Sequence, residues 1–229
     1  MVERRDRRAV TALPLFPLGT VLVPGQSLPL HVFEQRYRLL VDRLLALPAG
    51  VPRRFGVIAI RRGREVGSVP ELHEVGCTAE LQHVQAHADG RFDIVTTGGV
   101  RFRVVEIDVS QPYLTAEVEL LPEPAGDHAE RLAALVRSAY EGYADALTAL
   151  GVEAREPRGL PADPIALSYA VAASMVLDLP ERQALLASDD AALRLASERS
   201  LLRRETALLR HLSAVPGAAL LRSEPIAPN

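Results

Sequence analysis

The sequence predicts an α+β protein, with an N-terminal β pseudo-barrel carrying one helix and a C-terminal α-helical bundle. Two observations predict it. Across residues 73–105 apolar side chains recur with period two, through Cys77, Ala79, Leu81 and Val84, then Phe92, Ile94, Val100, Phe102 and Val104. That period turns one side of each strand to a core and the other to water. After Pro122-Glu123-Pro124-Ala125-Gly126 the period becomes helical, since the prolines and glycine stop a strand and resist a helix.

The first half reads as strands with one interruption. Residues 11–16, 20–23 and 28–33 are expected as short strands, placed at edges or bulges because their prolines lack a backbone donor. Glu34 starts a helix to about Leu47, with Tyr37, Leu40, Val41, Leu44 and Leu45 on one face. Residues 55–60 form a near-continuous apolar run, which suits a central strand. Asp89-Gly90 predicts a tight primed hairpin turn, because glycine supplies positive φ cheaply. Gly98-Gly99 is expected to open a second reversal before a strand over 100–105. Residues 113–121 alternate again.

The second half reads as helices. Leu132, Leu135, Val136, Ala139, Tyr143, Ala146, Leu147 and Leu150 make a stripe that ends at Gly151, a C-cap glycine. Residues 153–163 are polar and expected as a loop. Residues 164–177 are apolar nearly all round, which predicts a buried central helix. Pro180 suits the first turn of a helix over 181–187. Ser188 is the expected N-cap of the last helix, with Asp189 and Asp190 in its acidic first turn. Leu195, Leu202 and Leu209 recur every seven residues along it. The expected division is residues 1–122, residues 127–213, and a loose tail over 214–229.

Composition excludes more than it selects. The 229 residues are 48% hydrophobic and 24% charged, which is globular. A net charge of −3 and a pI near 6.1 offer polyanions nothing overall. The lone cysteine, Cys77, excludes an internal disulfide and is expected to be a buried, inert thiol. Arg4, Arg5, Arg7 and Arg8 precede an apolar run, but Pro14, Pro17, Pro24 and Gly25 break it, so no export signal is expected. No stretch approaches the roughly 20 apolar residues of a membrane span. A cytoplasmic protein is expected. All 26 basic side chains are arginine. A Walker-A loop needs a lysine at the phosphates, and a Ser-Lys dyad needs an amine of tunable pKa, so both are excluded.

No catalytic constellation emerges. Gly25-Gln26-Ser27-Leu28-Pro29 opens like a nucleophile elbow, but proline replaces the final glycine and a strand follows. His83 and His87 on a strand would lie roughly 13 Å apart, too far for one zinc. Neither metal nor cofactor is expected.

Several motifs stand in an ordered set. They are Glu74-x-Gly76-x-x-Ala79, Asp89-Gly90, Val95-x-x-Gly98-Gly99-Val100-Arg101-Phe102 and Pro112-Tyr113-Leu114. An opening LPLFPLGTVLVPGQSLPLHVFEQRY over 13–37 precedes them, and LDLPERQALLASDDAALRLASERSLLRRE over 177–205 follows. The set resembles the N-terminal, substrate-binding domain of the Lon protease family, over about residues 13–212. The resemblance implies a PUA-like fold for the β-rich half and a stand-alone member without the ATPase and peptidase domains. It also implies a non-catalytic role in binding polypeptide, as an adaptor or quality-control module. The expected partners are unfolded or extended polypeptide segments and a full-length Lon-type protease.

The alternative is RNA binding, known among PUA-like folds, against which stand the acidic pI and the absence of lysine and tryptophan. Candidate polypeptide-binding residues are Phe16, Leu18, Val21 and Phe33, beside proline-bearing strand edges, with Arg36 and Arg101 as anchors for carboxylates. Each also has a structural explanation: the apolar four as core, and the group around Arg36 as helix initiation.

Overall fold

Period-two sequence becomes sheet over most of the first half of the chain. The computed structural model describes residues 10–62, 70–152 and 159–214. Its strands and first helix are β1 (Val10–Leu18), β2 (Ser27–Val32), α1 (Gln35–Leu45), β3 (Arg54–Arg62), β4 (Glu71–Leu72), β5 (Val75–Ala86), β6 (Phe92–Asp108) and β7 (Thr115–Leu120). The remaining helices are α2 (Ala129–Ala149), α3 (Pro164–Ser174), α4 (Leu179–Ala187) and α5 (Ala191–Ala214). The arginine cluster at residues 4–8, most of the 153–163 loop and nearly all of the expected tail lie outside the described residues. Two units emerge: Met1–Glu123 with Leu177–Ala187, and Pro124–Val176 with Ser188–Asn229.

In the first unit the strands run β1-β7-β6-β5-β3, and a parallel pairing of β1 with β3 closes the ring. Closure satisfies both edges of these strands. β6 is long enough for two neighbours on one side. Residues 92–97 pair with β2, and residues 102–108 pair with β7.

The expected reversal at Gly98-Gly99 does not occur, since β6 runs straight through both glycines. Their role is close approach. The Gly98 N–H donates to the Gln26 carbonyl and its own carbonyl accepts from the Gly25 N–H, both at 2.8 Å. A Cβ on Gly98 would sit 2.1 Å from the Val23 carbonyl oxygen. Residues 20–23 are likewise not a strand. Val21, Leu22 and Val23 are buried and lead into a turn with Pro24 and Gly25 (φ 78°) at its centre, the arrangement of a type II turn.

The hairpin sits where Asp89-Gly90 predicted it, but the turn is not primed. Gly90 alone has positive φ there, and the His87 N–H donates to the Arg91 carbonyl at 2.9 Å. This is a three-residue connection with glycine in the left-handed position.

Phe102 is fully buried among Leu13, Leu15, Ile58, Leu114, Ala116 and Val118. A Cβ on Gly56 or Gly76 would strike its ring, so two strands give up side chains to seat one aromatic. Burying such a ring contributes about 1.5–3 kcal/mol. Helix α1 buries Tyr37, Leu40, Val41 and Leu44, and Tyr37 stacks on Phe16 at 3.9 Å. Helix α4 groups with this unit although its sequence follows a helical stretch. The Gln183 side chain donates to the Val75 carbonyl at 2.9 Å. Arg101 donates to the Leu186 carbonyl at 2.8 Å, where the C-terminal end of α4 attracts a cation. Cys77 is fully buried on β5, and burial pushes its thiol up to about 12.

In the second unit α2 buries Ala129, Ala133, Val136, Tyr140, Tyr143, Ala146 and Leu147. Leu135, expected in the stripe, is exposed, because Ala133 and Val136, two and one positions away, take the inner face. Gly151 (φ 76°) donates to the Thr148 carbonyl, and Val152 to the Leu147 carbonyl. That pair of bonds is the Schellman ending the glycine predicted. Asp163 caps α3 through the Ala166 N–H, and α3 stops at Ser174, short of 177. The cap of α5 is Asp190 rather than Ser188, since its carboxylate accepts from the Leu193 N–H at 2.7 Å.

Candidate functional site

Strand register brings together three polar side chains that are far apart in sequence. His31 on β2 lies directly opposite Asp93 on β6. On the far side of β6, Asp93 faces Gln85 of β5, and His87 follows two residues later. Opposed residues on paired strands have Cβ atoms about 5 Å apart, and a diagonal neighbour stays within reach of a long side chain. Two imidazoles therefore flank one carboxylate. His31 Nδ1 lies 2.6 Å from Asp93 Oδ1, and His87 Nε2 lies 2.6 Å from Asp93 Oδ2. These two hydrogen bonds hold the Asp93 carboxyl below its ordinary range. All three side chains are partly open to water, at 34–49% exposure.

Beside this row Phe33 follows directly after β2; it is 57% exposed and stacks against His31 with ring centroids 6.2 Å apart. Among the described residues β2 pairs with β6 alone. Its second edge thus remains a place where backbone donors and acceptors can be met from outside. The site is an open strand edge with one large exposed aromatic and a His-Asp-His row at its end.

The residues singled out in the sequence divide sharply. Phe16, Leu18 and Val21 are core, at 7%, 8% and 2% exposure, so they line no groove. Phe16 is enclosed by Tyr37 and Phe55. Arg101 is 1% exposed and is held by Glu123, the Leu186 carbonyl and the Pro122 carbonyl, so it cannot anchor a partner. Arg36 bonds Glu34 at 3.0 Å and lies over the Tyr37 ring at 4.5 Å, which fits helix initiation. Phe33 alone of the apolar four faces water. His31, His87 and Asp93 were not singled out together. The outward phase of His31 on its strand is a signal, but only the register of β2 on β6 shows its partner.

Comparison with known proteins adds three findings. A profile of the family described as the ATP-dependent protease La (LON) substrate-binding domain matches residues 12–204. Lon protease 2 of Syntrophobacter fumaroxidans is 30% identical over 76% of this chain and 22% of its own length. Lon protease of Trichlorobacter lovleyi is 28% identical over 96% of this chain and 27% of its own length. The chain spans about a quarter of these two relatives. Among solved structures, a Lon N-terminal domain protein from Xanthomonas campestris is 26% identical, with a TM-score of 0.57, covering 84% of this chain and 98% of that one. The N-terminal domain of Mycobacterium avium complex Lon protease is 22% identical, with a TM-score of 0.60, covering 86% and 98%; this second likeness concerns the fold alone. Among the described residues no helix is long and apolar enough to cross a membrane.

Proposed function

The chain belongs to the Lon substrate-binding domain family, and from that membership we propose a non-catalytic module that recognises extended or unfolded polypeptide. We further propose that its sheet unit is PUA-like, that it acts in the cytoplasm, and that it serves as an adaptor or quality-control factor working with a Lon-type protease. The observation that carries the reading is the one-sided pairing of β2 among the described residues, with exposed Phe33 directly after it. An added peptide strand would draw affinity from backbone hydrogen bonds and specificity from side-chain contacts. Pro29 lacks an N–H, which limits the registers such a strand can take. The absence of lysine from the sequence supports a module without nucleotide-driven or Ser-Lys chemistry.

An anisotropy titration against labelled unfolded polypeptide, with single-stranded RNA alongside at two salt concentrations, tests the reading. Saturable polypeptide binding that survives salt is expected. Phe33→Ala should weaken it about tenfold, the scale of an interface hot spot, while the thermal midpoint stays unchanged. RNA binding that falls steeply with salt, with no polypeptide binding, would replace this proposal.

A further inference from the structure

We propose that His31, His87 and Asp93 form a binding site for a zinc-class divalent metal ion. This inference stands apart from the polypeptide reading and rests on the geometry of the three side chains. Among the described residues they are the one grouping of three metal-capable side chains whose ligand atoms all lie within 4.8 Å of one another. Two imidazole nitrogens and a carboxylate oxygen are a donor set that suits zinc and its first-row neighbours, whereas calcium and magnesium prefer oxygen alone.

An ion needs small side-chain adjustments in both directions: the two hydrogen-bonded contacts open, and any ligand pair near the 4.8 Å limit closes by about 1.5 Å. Tetrahedral bonds of about 2.0–2.1 Å place donors about 3.3 Å apart. Each imidazole now lies 2.6 Å from the carboxylate, so both contacts need to open by less than about 1 Å. Binding one ion would displace both bridging hydrogens, leaving His31 protonated on Nε2 and His87 on Nδ1. His31 and Asp93 project from paired strands, and His87 from the first position beyond β5. The backbone ladder therefore fixes their spacing before any ion arrives. Three protein donors leave at least one coordination position open to water or to an outside ligand.

Two of the four remaining histidines provide the controls. His83 lies on the same strand as Gln85, further from the hairpin end, and His73 precedes β5; neither belongs to the cluster. The test is a Zn2+ titration of the tag-free chain by calorimetry, with Co2+ absorption spectra as a second readout. One ion per chain is expected, with visible Co2+ bands of a low-coordinate site. His31→Ala, His87→Ala and Asp93→Asn should each weaken Zn2+ binding at least tenfold and abolish the Co2+ bands, while His83→Ala and His73→Ala leave both intact. The altered side chains are partly exposed, so unchanged circular dichroism should accompany the loss. Absence of saturable Zn2+ uptake by the wild-type chain would overturn the site, and so would uptake that persists when all three residues are changed.

Discussion

Arg101 in the sheet unit and Arg194 in the helical unit are both enclosed, at 1% and 0% exposure. Around Arg101 two segments distant in sequence converge, one supplying the Glu123 carboxylate and the Pro122 carbonyl and the other the Leu186 carbonyl. Arg194 instead lies over the Tyr169 ring at 3.8 Å, one helical turn before the buried Glu198. Neither Glu198 carboxylate oxygen has a hydrogen-bond partner among the described residues, and burial pushes its carboxyl well above the ordinary range despite the nearby arginine. A buried charge with converging acceptors ties particular segments together, whereas a buried carboxylate that receives no hydrogen bond is a standing cost. The sheet unit uses its buried ion to specify an arrangement; the helical unit tolerates one.

The largest break in that contrast should come from Arg101→Met. Removing one partner leaves Glu123 and two carbonyls without their donor, at a cost of about 3–5 kcal/mol, read as a fall in the urea midpoint. Adding Glu123→Gln should recover part of the loss; a double variant as unstable as the sum of the single changes would show the pair to be uncoupled. Gly98→Ala comes next. Its methyl would collide with the Val23 carbonyl, and relief by backbone movement should cost about 1–3 kcal/mol; a neutral substitution would mean the turn yields freely.

The smallest effect has the opposite sign. The fold favours the neutral form of Glu198, so its folded pKa lies above the unfolded one. The resulting stability is complete below the ordinary carboxyl range and is lost as pH rises toward the raised value. Glu198→Gln should therefore stabilise the protein at neutral pH by about 1 kcal/mol and change little near about pH 4. Equal shifts in urea melts at both pH values would remove titration from the explanation.

Local chemistry made much of this fold legible. The period of residues 73–105, the apolar face of α1 and the glycine ending α2 each carry their own structural instruction. What failed was tertiary. Gly98-Gly99 has the composition of a turn, but the demand comes from Val23, some 75 residues earlier in the chain. Helix α4 carries a helical pattern without stating which neighbour its polar Gln183 will meet. At the site Phe33 was legible as apolar, but the pattern alone did not separate it from buried Phe16. The His-Asp-His row depended on a strand register that joins residues 62 apart.

Cys77 turns the closed ring into something that can be timed. Its sulfur is sealed on β5 and held as a thiol to about pH 12, and it is the chain's one cysteine. An alkylating reagent can therefore reach it only when the wall around it parts. In dilute denaturant the labelling rate would count those partings molecule by molecule, comparing momentary breaching of the sheet with complete unravelling, and no engineered probe would be required.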